Sequence, residues 1–328
     1  MSASEKKKIT SSPPLLKEYA GYPDFRFGLN LFRNAMIVAG EESTEQQNTF
    51  LNTFILHDIR VAISALNFLR PALDSMVRSD PLRRNHTPEF WDEMDRYYAA
   101  SRKGNALTLK TSSSRDALFA CGDWVNAYNR LLQYFPANDE MVRDDAFIKS
   151  ATAMARTWGL FHHSSSFLLG ITSNNERQAA RSYHKLESTT YSLSDVLDAS
   201  VVRKREMVNC GLPISDTVNG IEALMIHNLL KNADRHAVSA IDIFRNGDQL
   251  VIQNDSHTFP DRSTLFFPGT PGVGGNTGFG LFTMKHIFGA LGGYTLDLVS
   301  DESASQSLHC VSFAMTAPRQ VSSSLRTR

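Results

Sequence analysis

Ala223-Leu224-Met225-Ile226-His227-Asn228-Leu229-Leu230-Lys231-Asn232-Ala233-Asp234-Arg235-His236-Ala237 is the stretch on which the reading of this chain turns. Its apolar residues recur at helical spacing, and Asn228 and Asn232, four apart, fall on one helix face. Taken alone, the segment also fits a buried amphipathic helix that happens to carry two polar residues. Its surroundings separate the two readings.

Downstream the pattern is mixed. Asp242-Ile243-Phe244-Arg245 and Leu250-Val251-Ile252-Gln253 flank Asn246-Gly247, the strongest short-range signal for a hairpin. Leu265-Phe266-Phe267-Pro268 follows, then the glycine-rich run Gly272-Val273-Gly274-Gly275-Asn276-Thr277-Gly278-Phe279-Gly280-Leu281. Glycines let a backbone approach phosphates closely, and a helix start offers unpaired N–H groups and a positive dipole end. Phe282 to Leu291 reads as that helix, and Gly292-Gly293 is a good C-terminal stop. Tyr294–Val299 and Leu308–Phe313 alternate as two further strands.

Upstream, from about 43 to 186, the pattern is helical, with breaks near 79–88, 103–114 and 135–140. A first long helix is expected from Ser43 to Arg70, its start marked by the capping-box spacings Ser43/Gln46 and Thr44/Gln47. On the helical wheel Leu51, Ile55, Ile59, Ala62, Leu66, Leu69 and Leu73 form one stripe, with Phe50, Phe54, Val61 and Phe68 beside it. Two adjoining apolar rows predict contact with more than one neighbour, as in a four-helix bundle built from two chains. Thr53, His57, Arg60, Ser64 and Asn67 lie opposite the stripe, so His57 is predicted to face solvent. A second helix is expected from about Val142 to Gly170, extending toward Leu186; His162 and His163 lie on it, followed by Ser164-Ser165-Ser166 and no acid. The aromatic-rich stretch between them, with Trp91, Tyr97, Tyr98, Trp124, Tyr128 and Tyr134, is read as an insertion whose aromatics are core.

The 328 residues carry 34 Lys+Arg and 34 Asp+Glu, a balance that argues against bulk electrostatic binding to nucleic acid. No apolar stretch approaches the roughly 20 residues of a membrane span, and Met1 to Lys8 has no apolar core, so a cytosolic protein is expected. Cys121, Cys210 and Cys310 are too few and too widely spaced for a disulfide framework or a CxxC ligand pair.

Two constellations carry a family resemblance. His57-Asp58-Ile59-Arg60-Val61-Ala62 resembles the phosphoacceptor box of sensor histidine kinases, with Ala62 where the family usually has proline. The quoted 223–237 stretch resembles the N box of the histidine-kinase-type ATPases, Leu265–Pro268 their F box, and Gly272–Leu281 their G2 box, in the family's order over about 75 residues. The adenine-reading box departs: Asn254 stands at the acid, Ser256 and Thr258 replace glycines, and Asn276 replaces the first glycine of the G2 signature.

The resemblance implies an α + α/β chain: a helical hairpin domain forming a dimeric four-helix bundle, with an insertion, followed by an α/β sandwich ATPase domain whose mixed sheet is covered on one side by the N-box and G2 helices. The expected boundaries are a lead segment 1–42, a helical domain 43–186 with the insertion at about 78–140, an ATPase domain 187–318, and a tail 319–328. The resemblance also implies ATP and Mg²⁺ as cofactors, held by Asn228, Asn232, Arg235, Asn254, Gly274, Gly278 and Gly280, with Asn232 on the metal. His57 would be the nucleophile, Asp58 the group that orients its ring proton, and Arg60 a contact for the phosphate. The implied partners are a response-regulator receiver domain, a second copy of the chain in a homodimer, and an upstream sensor protein. A phosphotransfer protein or pseudokinase scaffold with a failed nucleotide site is the alternative. A serine kinase of the mitochondrial dehydrogenase-kinase type shares the layout but gives the His57 segment no role.

Overall fold

The computed structural model describes residues 87–109, 113–134, 146–200, 204–213, 215–257, 265–266, 279–299 and 308–317, with helical positions 55, 59, 63, 66, 67, 70, 71 and 74. The chain is α+β: helices first, then helices with two sheets, one of them mixed and five-stranded.

Two helices, α1 (Pro88–Leu109) and α2 (Ser114–Leu132), form an antiparallel hairpin. Pro88 pre-sets the first turn of α1, where the Thr87 hydroxyl accepts the Phe90 amide. Ser113 caps α2 by accepting the Asp116 amide at 3.2 Å. Between the two helices Phe90, Tyr97, Trp124 and Tyr128 are fully buried. The expected insertion is thus part of the helical core; of the aromatics read as core Tyr97, Trp124 and Tyr128 pack inward and Tyr98 is half-buried. Trp91 and Tyr134, at the open end of the hairpin, are exposed.

The second expected helix is broken twice. It consists of α3 (Ala146–Arg156) and α4 (Trp158–Thr172), and the chain then reverses into α5 (Glu176–Ser188) instead of continuing to Leu186. The physical reason for the reversal lies in Ser173-Asn174-Asn175. The Ser173 hydroxyl folds back onto the Leu169 carbonyl, Asn174 adopts φ 53°, and Asn175 caps α5 by accepting the Gln178 amide. Gly170 lets α4 and α5 touch, since a Cβ there would lie 2.5 Å from the Ala179 nitrogen.

After α5 comes β1 (Thr190–Ser192), which pairs antiparallel with β3 (Thr217–Asn219). Between them lie α6 (Leu193–Ser200) and β2 (Val208–Cys210). Helix α7 (Gly220–His236) follows directly, opened by a capping box in which Asn219 accepts the Ile221 and Glu222 amides and Glu222 reaches back to the Asn219 amide. The hairpin strands are β4 (Ile241–Asn246) and β5 (Gln249–Ser256), with Gly247 at φ 60° in the two-residue turn.

The five-stranded sheet has the order β2-β4-β5-β7-β6, where β6 is Thr295–Leu298 and β7 is His309–Thr316. Only β2 and β4 run parallel. The register aligns Ile243, Ile252, Phe313 and Leu298 on the face toward the helices. On the other face Asn209 bonds Asp242 and Ser312 bonds Gln253.

Buried apolar side chains from helices and sheet form one continuous cluster. Helix α7 is its centre: Ile221, Met225, Ile226, Leu229, Leu230 and Ala233 are all buried. It packs on β5 on one side and on α4, α5 and α6 on the other.

Candidate functional site

The quoted stretch forms α7, and its polar face is organised from within the helix. The Asn228 Nδ2 donates to the Leu224 carbonyl at 3.0 Å, which fixes the amide and turns Oδ1 outward. That oxygen meets the start of α8 (Phe279–Phe282): a Cβ on Gly280 would lie 3.1 Å from Asn228 Oδ1. A glycine gives this approach without pushing the amide aside, so the start of α8 is in contact with the asparagine face of α7. Asn232, one turn on, is half-buried. At 100° per residue Asn228, Asn232 and Arg235 lie within about 60° of one another on the helix. Arg235 is exposed, and its carbonyl takes a bond from Lys204 Nζ at 3.4 Å.

Helix α8 runs into a π-helical stretch, Thr283–Phe288, and a final α turn, α9 (Gly289–Gly292), ended by Gly293 in the left-handed region at φ 71°. Gly292-Gly293 therefore stops the helix as expected, but the π stretch was not legible from the period. It presents Lys285 over the Phe266 ring, 3.9 Å from the centroid, and stacks His286 on Phe282 at 4.7 Å. The Leu265-Phe266 pair is thereby joined to the same helix that touches Asn228. Stretches of π-helix inside α-helices occur frequently at functional sites.

On the sheet, Asn254 is buried in the row toward α7, opposite Ile241 and Val311. Its Nδ2 donates to the Asp255 carbonyl at 2.9 Å, and its Oδ1 is the amide's accepting atom. The neighbouring acid has another occupation. Asp255 accepts the amides of Val238, Ser239 and Ala240 and the Ser239 hydroxyl, tying the turn after α7 to β5. Partial burial raises this carboxyl, but the bonds from Ser239, Ala240 and Val238 outweigh it and hold the group at about 2.

His227, directly before Asn228, was not singled out by sequence reasoning. It is buried, its Nδ1 lies 2.9 Å from Ser200 Oγ, and its ring meets Phe161 edge-on at 4.9 Å. Burial, with Lys231 nearby, pushes its pKa well down and keeps it neutral. It joins α6 and α4 to the helix that carries Asn228 and Asn232. The one signal available was its place on the apolar side of that helix. His162 and His163 are half-buried on α4; burial lowers both, and for His163 the neighbouring His162 and Lys185 add to it.

His57, Asp58, Arg60, Gly274 and Gly278 lie outside the described residues. Of the stripe expected opposite His57, the described Ile55, Ile59 and Leu66 are buried, as is Ile63, which the stripe did not include, while Asn67, read on the opposite face, is exposed. Among the described residues no group of three His, Cys, Asp or Glu could hold a metal ion. No helix of the described residues is long and apolar enough to cross a membrane. No protein-family model matches the chain, and no curated protein matches it.

Proposed function

We propose that the chain is a cytosolic histidine kinase of the two-component type. In this reading Asn228, Asn232, Arg235, Asn254 and the glycines Gly274, Gly278 and Gly280 bind ATP, with Asn232 toward Mg²⁺. The observation that carries it is the contact of Gly280 with Asn228, which joins the asparagine face of α7 to the start of the glycine-led helix, a natural phosphate seat. Bound Mg²⁺ supplies neutralisation of phosphate charge. An amide oxygen suits it, because this ion takes few protein ligands beside phosphates and water.

The chemistry suits the residue types. A neutral imidazole nitrogen of His57 attacks the γ-phosphorus, the N–P bond forms, the bond to the bridging oxygen breaks, and ADP leaves with that electron pair. The proton on the other ring nitrogen is taken up or oriented by Asp58, and Arg60, one turn on, offers charge to the phosphoryl oxygens. Positioning and electrostatics supply most of the acceleration in such transfers. The phosphoryl group then passes to an aspartate of a receiver domain, with input arriving through an upstream protein.

One observation favours a second reading, a phosphotransfer protein or scaffold with a failed nucleotide site. Asn254 is neutral and Asp255 is engaged with the turn after α7, so the box that should read the base offers it no free carboxylate. Incubation with γ-labelled ATP and Mg²⁺ separates the two. Acid-labile, base-stable label that disappears in His57→Gln supports the kinase, and label persisting in that variant sinks the His57 assignment. Absence of nucleotide binding, together with transfer from a phosphorylated receiver to His57, supports the second reading.

A further inference from the structure

The hydroxyl beside His227 decides where the ring carries its proton. Ser200 ends α6, and its Oγ–H donates to the Val196 carbonyl one turn back. That bond uses the one proton the hydroxyl has, so toward His227 Nδ1, 2.9 Å away, Ser200 Oγ accepts. The proton of the neutral ring therefore sits on Nδ1, and Nε2 keeps its lone pair. Burial, with Lys231 one turn on, holds the ring neutral, and Phe161 of α4 closes on it edge-on at 4.9 Å.

A second anchor lies two turns along the same face of α7. Asp234 falls within about 20° of His227 on the helical wheel, and it accepts the Lys204 amide at 2.9 Å. Asn228 and Asn232 lie between these two anchors. The helix is thus held against rotation about its own axis at both ends of the stretch that carries the asparagines. Side chains stand about 5–6 Å from a helix axis, so a turn of about 10° would move an asparagine oxygen by about 1 Å. A misplacement of that size can cost about a hundredfold where geometry decides the outcome.

Ser200 can serve as a fixed point because α6 is itself held. Asp195 accepts from Arg156 of α3 at 3.4 Å. Asp198 lies 3.5 Å from Lys149 of α3 and 3.0 Å from Arg205. It is buried, a place a carboxylate occupies only beside cationic partners. The same segment that supplies Arg205 supplies the Lys204 amide to Asp234, so both anchors of α7 hang on one braced unit.

We propose that His227 is a positioning residue of the nucleotide seat: as the Nδ1–H tautomer bound to Ser200, it fixes the rotation of α7 and with it the placement of Asn228 and Asn232. The nucleotide part rests on the kinase reading; the lock itself does not. NMR of the full chain labelled with ¹⁵N-histidine reads the tautomer at neutral pH, the His227 signals being those lost in His227→Asn. A protonated Nδ1 and a bare Nε2 are expected; the opposite tautomer, or averaging between the two, overturns the proposal. Calorimetric titration with ATP and Mg²⁺ follows, each chain being checked as folded by circular dichroism. His227→Asn, whose Nδ2 takes the place of Nδ1, is expected within about threefold of the unaltered chain, and His227→Gln and Ser200→Ala at least about tenfold weaker. Equal affinity in all four chains, or equal loss in both His227 variants, overturns the positioning role. An unaltered chain that binds no ATP counts against the kinase reading, and amide exchange then decides the lock. Exchange over Asn228–Asn232 about tenfold faster in His227→Gln than in His227→Asn is expected, and equal rates overturn it.

Discussion

Asp255→Asn removes one charge and almost no volume from the junction between α7 and β5. The carboxylate collects the amides of Val238, Ser239 and Ala240 and the Ser239 hydroxyl, and an amide in its place would turn donors toward donors. The drop from 3.8 to about 2 corresponds to about 2 kcal/mol of stabilisation. Partial exposure to solvent reduces this to about 1–2 kcal/mol. Because the folded-state value lies below the unfolded one, the contribution is full above about pH 4 and is lost as pH falls toward 2. Urea unfolding of both chains at pH 7, 4 and 3 reads it directly: the gap between them is expected to be largest at pH 7 and to narrow below pH 4. Nucleotide affinity of the folded variant is expected to stay within about threefold, because Asn254 and not Asp255 faces the ligand in this account. Equal stability of the two chains at pH 7 would refute the anchoring role. Loss of nucleotide binding without loss of stability would show that Asp255 reads the base.

Two further predictions address the neighbouring groups. Asn254→Asp restores an acid but sets it against the Asp255 carbonyl that now accepts Nδ2, so urea unfolding should show a loss of about 1–3 kcal/mol. Calorimetric titration of the same variant should show adenine nucleotide bound about tenfold tighter through a charge-assisted bond. His227 is held neutral by burial, so its folded-state value lies below the unfolded one, and its contribution to stability is lost as pH falls below about 6.5. His227→Asn should flatten the decline of stability measured between pH 6.5 and 5; an unchanged slope would mean that other groups cause it.

Much of the fold could be read where local chemistry and tertiary packing agree. The turn beside Asn246-Gly247, the helix stop at Gly292-Gly293, the buried stripe of Ile55, Ile59 and Leu66, and the inward aromatics Tyr97, Trp124 and Tyr128 all follow from spacing and from glycine's backbone freedom. The strands β1, β2 and β3 escaped because three residues carry no measurable alternation and exist only through pairing with partners elsewhere in the chain. The break after Thr172 was written in the sequence, since Asn175 and Gln178 have capping-box spacing, but the helical period on both sides masked it. The π stretch at Thr283–Phe288 leaves no mark on periodicity over six residues. At the candidate site the asparagine pair and Gly280 were legible as residue types, whereas their contact, the occupation of Asp255 and the coupling through His227 depend on packing between distant segments.

The central claim is that the asparagine face of α7 and the glycine-led start of α8 form a nucleotide seat. Titration of the unaltered chain with ATP in the presence of Mg²⁺, followed by calorimetry, tests it most directly. Saturable binding below millimolar ATP is expected, weakened at least tenfold in Asn232→Ala and in Gly280→Ala, whose Cβ would press on Asn228. No heat of binding up to millimolar ATP, or equal affinity in all three chains, would contradict it.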